Sequence, residues 1–252
     1  MNVASLAAFG LLLVRPGVLV MGTSLLGAGH APAPVRIGLT VLLALVLVPF
    51  VVLPLNLSVG ELAIVIVREL AIGLALTMAI QILLAGAEFA GHFAGYQIGL
   101  SLGSLIDPQS GVRNNVLAIL YANVVLVICF ASNMHHQLLR ALAESYQRLP
   151  VGLGGLPTDS LTTSVAHMLG NVFVIGVRIA APVIMVLLLV ELALGLLARV
   201  APSLNVTTAG APIRAIVGLL VVAASLNALP TLIGRYVPTL LRVAAETAQA
   251  FR

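Results

Sequence analysis

Apolar residues run in long blocks along the chain, and short polar or glycine–proline clusters separate them. Val3–Met21 is the first block, and Arg15-Pro16-Gly17 stands inside it. Proline removes a backbone donor and glycine follows it, so this triplet predicts a kink or a break. Val35–Leu53 is a second block, closed by Pro49 and Pro54. Asn56–Gly60 reads as the start of a long helix, with Ser58 as a candidate cap and Glu61 in the first turn. No proline occurs from Glu61 to Ile106. A continuous helix over that stretch would measure about 69 Å, against a hydrocarbon core of about 30 Å. The segment is therefore expected to turn back or to extend well beyond a bilayer.

Val116–Ala131 is a further apolar run, and beyond Ser132-Asn133 the pattern changes. His135, His136, Arg140, Glu144, Gln147 and Arg148 alternate with Leu138, Leu139 and Leu142 at the spacing of an amphipathic helix. Pro150–Ser160 is the most loop-like stretch. Leu161–Val200 is a second over-long helical region, containing Arg178 and Pro182, and Ala209–Leu229 is the last strongly apolar run. Pro230–Arg252 is amphipathic. These elements predict an all-α fold over a single domain, 1–252. Helical hairpins are expected at roughly 3–55, 60–131 and 160–250, joined by an amphipathic connector at 133–150.

Composition narrows the class. Hydrophobic residues make up 61% of the 252, and only 8% are charged, against about 25% charged in ordinary globular domains. A soluble binding module is excluded, and a membrane protein or a subunit of a larger apolar assembly is expected. All twelve basic residues are arginine, spread singly from Arg15 to Arg252. That spread argues against nucleic acid, which is bound by clustered basic residues. An arginine in mid-membrane costs roughly 2.5–3.5 kcal/mol, so Arg15, Arg68 and Arg178 are expected to face protein or water. The N-terminus lacks a basic leader and is expected to be retained. Cys129 lies in an apolar run and reads as an inert core thiol.

The densest chemistry lies between Gly86 and Asn114. Gly91, Gly95, Gly99 and Gly103 recur every fourth residue, which places them along one helical ridge suited to close packing. The ridge runs into Asp107-Pro108-Gln109-Ser110-Gly111, a turn signal. A loop at membrane depth is tolerated only where protein buries it or where it lines a cavity. Gly99-Leu100-Ser101-Leu102-Gly103 matches the nucleophile-elbow pattern, but that elbow needs a strand before it. A serine protease would also need a histidine facing Ser101, and spacing selects none of His92, His135 and His167. The adjacent His135-His136 pair cannot act as helical i, i+4 metal ligands. No catalytic residue, metal site or cofactor site is expected. Glu191, Gly195 and Arg199 also recur every fourth residue. Glu191 and Arg199 stand about 12 Å apart along the axis, so each is expected to find a partner elsewhere as an interface charge. A stand-alone transporter would need an internal repeat of broken helices, and none is found.

Four stretches together carry a resemblance: RPGVLVMG at Arg15–Gly22, EFAGHFAGYQIGLSLGSLIDPQSG at Glu88–Gly111, NMHHQLLRALAESYQRLPVG at Asn133–Gly152, and LVELALGLLARVAPSLNVTTAGAPIRAIVG at Leu189–Gly218. The chain resembles, from end to end, the FliR/SctT family, the R subunit of the flagellar protein-export gate and its type III secretion counterparts. It departs at Ser203, where the family has glutamine, and at Thr207, where it has an aromatic residue. The resemblance implies a non-enzymatic subunit of the bacterial inner membrane at the flagellar basal body, partly on the periplasmic side. Its implied partners are export-gate P and Q subunits, the B substrate-switch subunit, unfolded exported proteins and membrane lipid. It further implies a pore plug over Ser101, Leu102, Gly103, Ser104, Leu105, Ile106, Asp107, Pro108, Gln109, Ser110 and Gly111. The virulence type III counterpart, subunit T, is the alternative.

Overall fold

The computed structural model describes residues 3–51, 58–99, 115–152, 160–200 and 206–249. Among them the chain is all-α. The helices are α1 (Val3–Gly22), α2 (Ala33–Leu47), α3 (Val59–Ile98), α4 (Val116–Ala131), α5 (Met134–Arg148), α6 (Ser160–Val200), α7 (Val206–Leu226) and α8 (Leu229–Gln249), with short 3-10 turns at Ser24–Leu26 and Val48–Phe50. Among the described residues, three helical stretches are each long and apolar enough to cross a membrane: Ala33–Phe50, Gly60–Ile98 and Val177–Val200.

Of the kink or break expected at Arg15-Pro16-Gly17, the break does not occur. Helix α1 passes through Pro16 without interruption. Proline at 16 deprives the Leu12 carbonyl of its helical donor, and the Tyr146 hydroxyl donates to that carbonyl at 2.9 Å. A side chain from α5 thus satisfies the group that proline would otherwise orphan. Helix α3 does not turn back within Val59–Ile98. Its 40 residues form one helix, about 60 Å long, and 67% of its apolar window is buried inside the chain. Its start is a capping box. The Ser58 amide and hydroxyl both donate to Glu61 Oε2 at 2.8 Å, and the Glu61 amide donates back to Ser58 Oγ at 3.4 Å.

The chain divides into two compact units. The first comprises Met1–Ile82, Cys129–Gly170 and Arg235–Arg252, and the second Leu83–Ile128 and Asn171–Gly234. Within the first, α1 and α3 pack through small residues. A Cβ at Gly73 would lie 3.3 Å from the Arg15 backbone, and one at Gly22 would lie 2.6 Å from the Thr77 methyl. Thr77 also donates to the Val18 carbonyl at 3.4 Å, and Gln81 Nε2 donates to the Gly22 carbonyl. Helix α5 has the expected amphipathic character: Met134, Leu138, Leu142, Ser145 and Tyr146 are buried, while His136, Arg140, Glu144 and Arg148 are exposed. Cys129 is buried and free.

Candidate functional site

In the second unit, the last turns of α3 have two unlike faces. Ala87, Ala90, Gly91, Ala94 and Gly95 are buried, whereas Glu88, Phe89, His92 and Tyr96 are exposed. Helix α4 lies on the small face. A Cβ at Gly91 would stand 2.5 Å from the Leu117 carbonyl oxygen and 2.7 Å from the Ala118 amide nitrogen. Those atoms are backbone and cannot swing aside, so even alanine is excluded there. At Gly95 a Cβ would stand 2.5 Å from Cγ of Asn115. Helix crossings without intervening side chains gain dispersion contact over the full width of both backbones.

Gly99 serves differently. Its φ is +90°, a left-handed conformation that glycine adopts without a steric penalty, and it follows the last residue of α3. Its amide closes a turn onto the Tyr96 carbonyl at 3.1 Å. Gly103 lies outside the described residues, as do Ser101, Leu102, Ser104, Leu105, Ile106, Asp107, Pro108, Gln109, Ser110 and Gly111. What the structure describes is the pair of ends that carry this segment.

Asn115 holds those ends together. Its Nδ2 donates to the Gly91 carbonyl at 3.3 Å and to the His92 carbonyl at 3.2 Å, both on α3. Its Oδ1 accepts from the Leu117 amide at 3.0 Å, and its carbonyl accepts from Ile119 at 3.2 Å. The side-chain oxygen therefore caps α4 in the usual N-cap manner, while the amide group of the same side chain fastens α4 to α3. The helices on either side of residues 100–114 are thus fastened into one stem. Sequence reasoning passed over Asn115. Its one local signal was an asparagine directly before an apolar run.

Two further helices enclose the stem. Ile98 lies against Gly218 of α7, where a Cβ would come within 2.7 Å of Ile98 Cδ1 and 3.4 Å of Leu187 Cδ2 of α6. Tyr121 of α4 and Ser225 of α7 share a buried hydrogen bond of 2.6 Å. Ser225 Oγ donates to the Val222 carbonyl at 2.8 Å, so the tyrosine hydroxyl is the donor between them. Farther along α6, Glu191 faces Arg214 of α7 at 4.0 Å, both partly exposed. A pair in that setting contributes about 0–1 kcal/mol. Arg199 is exposed, with no ion pair among the described residues. The structure does not bring Glu191 and Arg199 together, and Arg214, which sequence reasoning passed over, is the residue facing Glu191.

The first unit holds a polar cluster that spacing could not reveal. Arg15 is wholly buried. Its Nε donates to Glu69 Oε2 and its Nη2 to Glu69 Oε1 at 2.8 Å. Nη1 donates to Ser145 Oγ at 3.2 Å, and Nη2 also reaches the Leu149 carbonyl at 2.7 Å. The guanidinium carbon stands 4.3 Å from the centroid of the Tyr146 ring. One arginine thus neutralises a buried carboxylate of α3 and caps the C-terminal end of α5. Arg68 is buried nearby in sequence, while Arg178 is exposed on α6.

Among the described residues, no three His, Cys, Asp or Glu side chains come close enough to hold a metal. His135 and His136 stack with ring centroids 4.2 Å apart, and His135 lies 5.5 Å from the Phe130 ring.

Comparison with known proteins gives this helical scaffold its relatives. Residues 6–240 match the family described as "Bacterial export proteins, family 1". The chain is 32% identical over 217 residues to the flagellar biosynthetic protein FliR of Escherichia coli K12, covering 84% of this chain and 81% of that one. It is 30% identical over 210 residues to FliR of Bacillus subtilis strain 168, covering 82% and 81%. The Yop proteins translocation protein T of Yersinia pestis is 29% identical over 157 residues, covering 62% of this chain and 60% of that one. With almost its whole length matched, the chain belongs to family 1 of the bacterial export proteins.

Proposed function

We propose that this protein is a subunit of the inner-membrane export gate of the flagellar type III protein export apparatus, and that it lines and plugs the channel for unfolded substrates. The observation that carries this reading is the clasp at Asn115. It ties the start of α4 to the end of α3, so that residues 100–114 are presented as one closed segment from a rigid stem. Close packing at Gly91 and Gly95 stiffens that stem. The chain performs no catalysis in this reading, and opening is a displacement of the segment driven by other parts of the apparatus. Its partners are the P and Q subunits around the channel and the B subunit on the cytoplasmic side, with part of the assembly on the periplasmic side of the membrane. Glu191 and Arg199 sit on surfaces that meet those subunits.

Deleting Leu105–Gly111 tests the plug. The expected result is an assembled complex that leaks small ions, measured as dye or ion flux across the membrane in cells carrying the variant. A deletion variant as tight as the parent overturns the plug role. Gly95→Leu is expected to abolish co-purification with the P subunit, and intact assembly would remove the close-packing argument. A virulence secretion system is the second reading, favoured by the likeness to the Yersinia translocation protein. The flagellar relative from Escherichia coli matches more of the chain than the Yersinia protein, 84% against 62%, and on that ground the flagellar reading stands first.

A further inference from the structure

Of the three stretches long and apolar enough to cross a membrane among the described residues, α2 is the least covered by the chain, with Val177–Val200 next at 28% buried. Only 17% of the Ala33–Phe50 window is buried, against 67% for Gly60–Ile98. Val35, Ile37, Leu42, Leu45, Val46 and Phe50 are each more than half exposed. The 18 residues of this window span about 27 Å, close to the roughly 30 Å of a hydrocarbon core. Helix–helix interfaces in membranes gather small residues, and α2 has the opposite arrangement. Its buried positions are Thr40, Ala44 and Leu47, with Thr40 Cγ2 lying 3.6 Å from where a Cβ at Gly17 of α1 would stand. Branched and aromatic side chains point outward, with Gly38 the one small residue among them from Val35 to Phe50.

One end of this face is charged. From residue 1 to residue 60 the sequence contains Arg15 and Arg36 and no aspartate or glutamate. Glu69 neutralises Arg15, so the charge left over is that of Arg36, in the first turn of α2. The Arg36 stem lies over the Gly27 turn, its Cγ 4.0 Å from the position of a Cβ there. Its Nε is buried and has no hydrogen-bond partner among the described residues. A long side chain with its stem on protein and its guanidinium at the end of an apolar helix is the arrangement by which arginine reaches a membrane interface. The guanidinium fork matches phosphate oxygens.

We propose that α2 faces membrane lipid directly: acyl chains lie along Val35–Phe50, and Arg36 takes the phosphate of an anionic phospholipid. The proposal rests on the membrane placement given above and adds to it the helix that meets lipid and the headgroup class it selects. The test introduces a photoreactive phenylalanine analogue at Leu42 in the full-length chain, in native membranes with the rest of the export apparatus present. Membranes are floated on a density gradient before illumination, and adducts are identified by mass. The expected result is a lipid adduct in which phosphatidylglycerol and cardiolipin are enriched over phosphatidylethanolamine about five-fold relative to the bulk membrane, the factor for one basic residue at an anionic surface. Arg36→Gln should bring the ratio back to bulk, and Arg36→Lys should keep most of the enrichment. An adduct to another protein overturns lipid as the occupant. Lipid adducts at the bulk ratio in the parent overturn selection by Arg36. A chain that fails to float overturns the membrane placement itself, and with it this proposal.

Discussion

Replacing Arg15 by methionine keeps most of the side-chain volume and removes the charge. Glu69, wholly buried, then loses both guanidinium contacts, and the Leu149 carbonyl at the end of α5 loses its donor. Breaking a buried pair by removing one partner costs about 3–5 kcal/mol, and a buried carbonyl left unsatisfied costs about 1–3 kcal/mol. Ser145 contributes little to the loss, because its hydroxyl retains the Leu142 carbonyl at 2.6 Å. A total of about 4–8 kcal/mol corresponds to a fall in melting temperature of roughly 8–32 °C for a chain of this size. The double variant Arg15→Met/Glu69→Leu removes the stranded carboxylate and should recover about half of that loss. The chain supplies its own reporter, since Cys129 is its single cysteine and is buried. A fluorogenic thiol reagent followed during heating of the detergent-solubilised protein reads the transition without added labels. The reasoning fails if Arg15→Met melts within about 2 °C of the parent, or if the two substitutions simply add.

Three smaller perturbations separate the other devices. Gly91→Ala places a methyl against backbone atoms of α4 and should cost more than about 2 kcal/mol, whereas Gly195→Ala, which meets nothing within 4 Å, should be neutral or gain up to about 1 kcal/mol of helix propensity; paired thermal melts decide it. Asn115→Leu removes a helix cap and two bonds to α3 and should lower stability by about 1–3 kcal/mol. It should also raise protease cutting within residues 100–114, and unchanged cutting would detach Asn115 from the control of that segment. Ser58→Ala dissolves the capping box at the exposed start of α3 at a cost of about 1 kcal/mol, and hydrogen exchange should quicken over Val59–Leu62 alone.

The elements that were legible in the sequence were those whose cause is local. Long apolar runs gave α3, α4 and α7. The polar–apolar alternation from Asn133 gave α5 and its buried face, and Ser58 with Glu61 gave a helix start. The consequence of Pro16 could not be read locally because it depends on a residue 130 positions away: Tyr146 supplies the donor that the proline withholds. The Arg15–Glu69 pair was hidden for the same reason. Sequence shows that a mid-helix arginine needs a partner but not which acid will meet it. Around the candidate site, the glycine spacing pointed to close packing, but it could not tell a packing glycine from Gly99, whose role is conformational. Nor could it show that Asn115 reaches back to α3.

The Asn115 clasp has a consequence for the length of the segment it closes. Because the stem closes itself, residues 100–114 are relieved of holding their own ends together. The entropic cost of closing a loop grows slowly, by about 0.6 kcal/mol for each doubling of its length. A change of length between the two anchors therefore adds little to the cost of closing the stem. The clasp, and not the length of the segment it closes, is what keeps α3 and α4 fastened at this end.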